Sequence, residues 1–335
     1  MKKIFSLMIT VVLTMSILAG CSQKISSSQA SQGGNNAEAT DNVKINVAML
    51  KGPTGIGAVE LMNKSESGET KGSYNITVSA APDDVTAKII SGEIDIAAVP
   101  TNLAAVLYNK TEGGVSVLAV NTLGVLYVLE NGDSVNSISD LSGKTIYSSG
   151  QGAVPEYVLN YMLEKNGVTD AAIEYMSEHE EVAAALADGT AQIAMLPEPF
   201  VTAAMMKNPD LRIALNVTDE WSKVSDSELA MGCIIVRNDF LKEHEGAVQT
   251  FLSEYKDSIE FVNNNITDAS KLVEKYGIMA TAQAAEKSIP NCNIVFVDGS
   301  EMENMLNGLY DVLYAANPKA VGGTVPAKEF YYESK

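Results

Sequence analysis

GEIDIAAVPTN, residues 92–102, is the stretch on which the fold turns. Ile94 to Val99 is a short continuous apolar run, the pattern of a buried strand. It stops at Pro100, and Thr101 and Asn102 follow as polar side chains. Residues 189–199, GTAQIAMLPEP, repeat the pattern. The match extends backwards. DDVTAKII (83–90) precedes the first copy and EEVAAALA (180–187) the second, while YNITV (74–78) and AAIEY (171–175) precede those at the same offset. Val85 and Ile89 fall on one helical face, as Val182 and Leu186 do in the second copy. A unit of strand, helix, strand and polar stop is therefore present twice. Helices between strands predict an α/β chain of two similar, doubly wound lobes, with a ligand cleft between them.

Composition narrows the function. The formal charge is −19, which argues against a nucleic-acid partner and suits an extracytoplasmic protein. The arginines are Arg212 and Arg237, too few for a site built on several guanidinium forks. With 3 Cys and 2 His, metal chemistry has little material; no metal and no cofactor are expected.

The N-terminus reads as a targeting segment. Lys2 and Lys3 precede an apolar stretch from Ile4 to Leu18, shorter than the ~20 residues a spanning helix needs. It ends in Leu18-Ala19-Gly20-Cys21, which looks like a lipobox. Residues 1–20 are then a lipoprotein signal peptide, and acyl chains on Cys21 tether the protein to the outer face of the cytoplasmic membrane. Residues 21–42 are rich in Ser, Gln, Asn and Gly and read as a flexible tether. Residues 43–122 and 232–335 make the first lobe and 123–231 the second. Asn121–Gly124 is the first crossing, with Gly124 as a torsionally free hinge, and 216–231 is the return.

KINVAML (44–50) runs into Lys51-Gly52-Pro53-Thr54-Gly55 and a helix over 56–63. TIYSSGQG (145–152) repeats that strand and Gly-rich turn. Such turns bind anions or dipoles at the first helical N–H groups, or serve only as βα turns. A long helix is expected over 239–264, and Ser300-x-x-Glu303 has the capping-box pattern for a helix at 302–315.

With the lipobox, the duplicated lobes and SISDLSGK (137–144) in hand, the chain resembles the solute-binding lipoproteins of bacterial ABC importers. Within them it looks most like the nitrate, sulfonate, taurine and thiamine-pyrimidine binding group. Ser139-Asp140-Leu141 with Gly143-Lys144, the run from Asp188-Gly189 to Pro197-Glu198-Pro199, and the run from Ile234 to Asn238-Asp239-Phe240 carry the likeness. The resemblance implies a type II periplasmic-binding-protein fold, capture of a small solute by lobe closure, a permease and ATPase as partners, and a monomer. Two other functions stay open. One is a surface receptor or signalling lipoprotein; the other is an enzyme on the same fold, as in pyrimidine or menaquinone biosynthesis.

Ligands in open α/β sheets bind beyond the carboxyl ends of the strands. The candidate contacts there are Lys51, Thr54, Gly55, Thr101, Asn102, Thr122, Ser148, Ser149, Gln151 and Glu198. Local turn hydrogen bonding is the alternative for the Ser, Thr and Asn residues. Glu198 lies between two prolines, and its carboxylate suits an N–H-bearing or cationic ligand over a simple oxyanion. Trp221 either stacks on a ligand ring or buries its area at the lobe junction. His179 and His244 read as solvated, and Cys233 and Cys292 as buried free thiols.

Overall fold

The structure, a computed structural model, describes residues 43–333. The signal segment, the tether and Cys21 lie outside the described residues. The strands are β1 (Lys44–Leu50), β2 (Ser73–Ser79), β3 (Ile96–Pro100), β4 (Val115–Thr122), β5 (Leu126–Glu130), β6 (Thr145–Ser148), β7 (Ala172–Tyr175), β8 (Ile193–Pro197), β9 (Arg212–Asn216), β10 (Gly232–Arg237) and β11 (Ile294–Val297). They form a 6-stranded sheet in the order β11-β4-β10-β3-β1-β2 and a 5-stranded sheet in the order β7-β6-β8-β5-β9.

The repeat survives intact in three dimensions. In each copy a helix (Pro82–Ser91 or His179–Ala187) leads through a glycine into a strand ending in proline. Gly92 and Gly189 sit at φ 80 and φ 83, the left-handed region where a helix turns off and where only glycine is unstrained. A second helix starts directly after each proline strand: Thr101–Lys110 in one copy, Phe200–Lys207 just beyond Glu198-Pro199 in the other.

Each sheet is mixed rather than wholly parallel. β1 pairs in parallel with β2 and β3, and β6 with β7 and β8. The strand that brings the chain in from the other sheet then inserts antiparallel: β5 between β8 and β9, and β10 between β3 and β4. Three local expectations also change. The helix expected over 56–63 is two pieces, Pro53–Ile56 and Val59–Ser67, separated at Gly57-Ala58. The long helix breaks at His244 into Asn238–Glu243 and Glu245–Asn264. Ser300 caps nothing, because Gly299–Ala316 has already begun, with Asp298 at its N-cap.

One buried cluster packs β1 side chains Ile45, Val47 and Met49 against Phe251, Tyr255 and Val262 of helix Glu245–Asn264. Another is continuous across both sheets, linking Val99 and Leu107 to Val128, Leu159 and Met195 through Trp221, Leu229 and the helix Gly299–Ala316. Both arginines are consumed at the sheet edges away from the proline stops. Arg237 pairs with buried Asp95 at 3.2 Å, and Arg212 with buried Glu130 at 2.7 Å. Burial pushes the Glu130 carboxyl up, but hydrogen bonds from Ser134 and Val135 and the Arg212 charge bring it below the usual range.

The crossings run side by side. Met231 N–H donates to Thr122 O at 2.9 Å, and Thr101 N–H donates to Met231 O at 3.2 Å. Gly124 lies in the first crossing for want of space rather than for torsional freedom: a Cβ there would stand 2.0 Å from Thr218 Oγ1 and 3.2 Å from Leu229 Cδ2. Gly124→Ala should therefore cost about 1–3 kcal/mol, the usual range for overpacking. Thr218→Ala in the same background should recover part of that, since the nearest atom is removed and its hydroxyl has no hydrogen-bond partner. Urea unfolding of the two single variants and the double variant measures the coupling.

Candidate ligand-binding cleft

The carboxyl ends of β1, β3, β4 and β8 converge on a cavity of about 170 Å3. The first sheet and its loops contribute Leu50, Lys51, Gly52, Pro53, Thr54, Pro100, Thr122, Met231 and Gly232. The second contributes Val125, His179, Pro197, Glu198, Pro199 and Phe200. A larger groove of about 670 Å3 lies beside helix Glu245–Asn264 and β11, lined by Gln249, Lys256, Phe296 and Tyr332 among others, but no strand end of the repeat opens into it.

Of the residues expected from sequence, Lys51, Thr54, Thr122 and Glu198 come together here. Lys51 is exposed at the mouth. Thr54 Oγ1 donates to Leu50 O at 3.2 Å, and Thr122 Oγ1 to Asn121 Oδ1 at 3.2 Å. Gly55 stands behind the wall, where a Cβ would meet Leu50 O at 2.4 Å. Thr101 is fully buried and spends its hydroxyl on Ala230 O at 2.9 Å, so it ties the return crossing to β3 instead of facing the cavity. Asn102 is buried with Oδ1 unpartnered, and it is not among the lining residues. Ser148 turns its hydroxyl back to Ser149 O at 3.3 Å, and Gln151 is exposed. Trp221 is 1% exposed, its Nε1 donates to Ser227 O at 2.6 Å and its ring lies against Tyr161. It buries its area at the lobe junction.

His179 is half-buried, against the expectation that it is solvated. It lines the cavity, its Nδ1 pairs with Ser149 Oγ, and its ring lies 5.0 Å from that of Phe200 at 37°. His244 is half-buried against Phe240. Cys233 and Cys292 are both free and buried.

A family model described as ABC transporter, phosphonate, periplasmic substrate-binding protein matches residues 67–288. The chain belongs to that family. A comparison with curated protein sequences returns no match. Among solved structures, an ABC transporter from Parabacteroides distasonis is 25% identical, with a TM-score of 0.74 over 88% of this chain and 100% of that one. The periplasmic aliphatic sulphonate binding protein SsuA from Escherichia coli is 13% identical, with a TM-score of 0.70 over 87% and 92%. The alkanesulfonate-binding protein SsuA from Xanthomonas axonopodis pv. citri, bound to MOPS, is 13% identical, with a TM-score of 0.64 over 81% and 92%. The periplasmic-binding-protein fold is thus common to all three. This substrate-binding protein is a binder of an ABC importer and not an enzyme, with a small solute and a permease–ATPase complex as the partners of its class.

The binding protein's cleft is electrostatically mixed. Burial pushes the Glu198 carboxyl up; hydrogen bonds from Thr202 N–H (3.1 Å), Thr202 Oγ1 (2.9 Å) and the Asn291 side chain offset this only in part. Asn291 belongs to the first lobe, so this bond crosses the seam. Tyr127 OH reaches Asn291 O there at 3.4 Å, and helix Ala282–Ser288 packs on Phe200–Lys207. Burial holds the His179 imidazole below its ordinary pKa, against the pull of Glu180.

Sequence reasoning missed His179, Phe200, Val125, Met231, Gly232 and Asn291. The repeat held the signal for His179, which opens the helix matching Pro82–Ser91. For Val125, Met231 and Gly232 the signal was absent, because they reach this edge only through the antiparallel insertion of β5 and β10.

The raised Glu198 pKa fixes a sign. Its protonated form favours the fold below the unfolded carboxylate range, and that contribution is lost as pH rises through the folded pKa. Glu198→Gln keeps an acceptor for Thr202 and cannot ionise. It should melt higher than the parent near about pH 8, with the gap closing toward about pH 4, as followed by calorimetric scans.

Proposed function

We propose that this protein is the lipid-anchored, extracytoplasmic solute receptor of an ABC importer, working as a monomer. A small solute enters between the two sheets, is held in the cavity bounded by Lys51, Thr54, Thr122, His179 and Glu198, and is delivered in the closed form to a permease. The observation that carries this reading is the cavity itself. It lies where the strand ends of both lobes meet, and its walls come from both, so an occupant stabilises the closed arrangement differentially. Sulfonate-like and N-heterocyclic solutes both fit the size, which is below the ~300 Å3 of the smallest drug-sized sites. Membrane attachment rests on Leu18-Ala19-Gly20-Cys21 and the basic start.

Three measurements test this. Thermal-shift screening of the full chain against a panel of sulfonates, phosphonates, nitrate and N-heterocycles should find a ligand that raises the melting temperature, by several degrees at saturation. Thr122→Ala and Glu198→Ala should each weaken that ligand about tenfold, the effect of losing a hydrogen bond or charge contact; unchanged affinity in both refutes the site. Cys21→Ser should move the protein from the membrane fraction to the soluble extracytoplasmic fraction, and retention at the membrane refutes the lipid anchor.

A further inference from the structure

We propose that Asn291 is the latch of the cleft: standing in the first lobe, it holds the second lobe closed through Glu198 and Tyr127, without touching the solute. The proposal rests on the reading of the two lobes as closing around a solute, and adds which contact keeps them shut.

Asn291 ends a short, fixed turn. Ile289–Asn291 is one helical turn with Pro290 inside it, and Cys292 N–H donates back to Ile289 O at 3.1 Å. Ile289 and Cys292, on either side, are buried in the first lobe's core, while Asn291 itself is exposed. The turn is also tied to the outgoing crossing, because Asn293, two residues on, bonds both Leu123 N–H and Gly124 O. The chain therefore presents the Asn291 side chain and carbonyl from a set position, at little further cost in conformational entropy.

Both polar groups of Asn291 reach across the seam. Its side chain donates to the Glu198 carboxylate, and its carbonyl accepts from Tyr127 OH at 3.4 Å. The second lobe holds these partners in place. Glu198 N–H donates to Val125 O at 2.9 Å, and its carboxylate, 1% exposed, also accepts from Thr202 N–H and Thr202 Oγ1. A carboxylate has room for about four donors, so Asn291 adds one from the opposite lobe. Burial pushes the Tyr127 phenol up to about 12, so it stays a donor at neutral pH. Helix Ala282–Ser288, which leads into the turn, packs on Phe200–Lys207 alongside. The residues lining the cavity do not include Asn291 or Tyr127. The latch thus acts on the closed population alone, and its loss weakens every solute by one common factor.

The test is a spin-label distance measurement between the lobes of the full chain in a Cys21→Ser background. Labels go on Ala87→Cys and Ala184→Cys, exposed positions on the equivalent helices of the two copies. Cys233 and Cys292 are buried and stay unlabelled. Asn291→Asp exchanges the amide donor for an acceptor of nearly the same size, at an exposed position. At about pH 8 it sets a second carboxylate against Glu198, and the open-to-closed ratio should rise about tenfold. Glu198→Gln added to Asn291→Asp lets amide and carboxylate trade places, and should restore the parent distance distribution. Tyr127→Phe removes only the second bond and should raise the ratio about threefold. An unchanged distribution in Asn291→Asp overturns the latch. So does a shift that Glu198→Gln fails to reverse, because Asn291 would then act through another group. Neither outcome touches the importer reading, which the thermal-shift screen decides.

Discussion

Two backbone hydrogen bonds to one residue hold this architecture together. Met231 is strapped to the end of β4 through Thr122 O and to the start of the helix after β3 through Thr101 N–H. The return crossing is thereby fixed beside the outgoing one. A second strap acts from the far side: Leu123 N–H donates to Asn293 O at 3.1 Å, and Asn293 Nδ2 donates to Gly124 O at 2.8 Å. With both crossings pinned, β5 and β10 must each enter their sheet from the cleft edge, and so they run antiparallel to the strands of the repeat. Their first residues then stand beside the last residues of β3 and β8. The cleft exists because of that forced direction.

Much of this was legible in the sequence, for a definite reason. Apolar runs ended by Pro100 and Pro197, with Gly92 and Gly189 before them, are local signals, and local backbone physics obeys them. The duplication carried the two-lobed reading. The direction of β5 and β10 was not legible, because strand direction depends on which partners a strand finds, and its own side chains do not encode that. The same limit applied to the site. Glu198 could be placed because it follows a strand of the repeat directly. Thr101 could be placed equally well, yet it turned out to serve Ala230 O, since whether a polar stop faces solvent or protein depends on a segment more than a hundred residues away. Trp221 likewise chose the protein interior, where Ser227 O satisfies its N–H.

The charges are distributed in a way that separates stability from binding. Asp95–Arg237 and Glu130–Arg212 sit at the strand ends remote from the cleft, where each carboxylate also accepts backbone N–H groups. Removing either arginine would leave a buried carboxylate unpaired, a change felt by the fold. At the cleft edge the ionisable groups are fewer, and His179 and Glu198 are both shifted by burial toward neutrality. Fewer charges to strip of water mean that closure costs less desolvation, so a small solute suffices to favour it.

The outer edge of β4 shows a different economy. Its second half is covered by β11 through Ile294 and Val297, and its first half by the chain terminus, where Tyr331 bridges Val117 and Tyr332 N–H donates to Val117 O at 3.0 Å. Phe330 is fully buried just before that bridge. The terminal segment is therefore a lid on an open β-edge, and unpaired edges are templates for other chains. A chain shortened ahead of Ala327 would lose that cover together with the buried Phe330 ring, so it would be both less stable and open to self-association along β4.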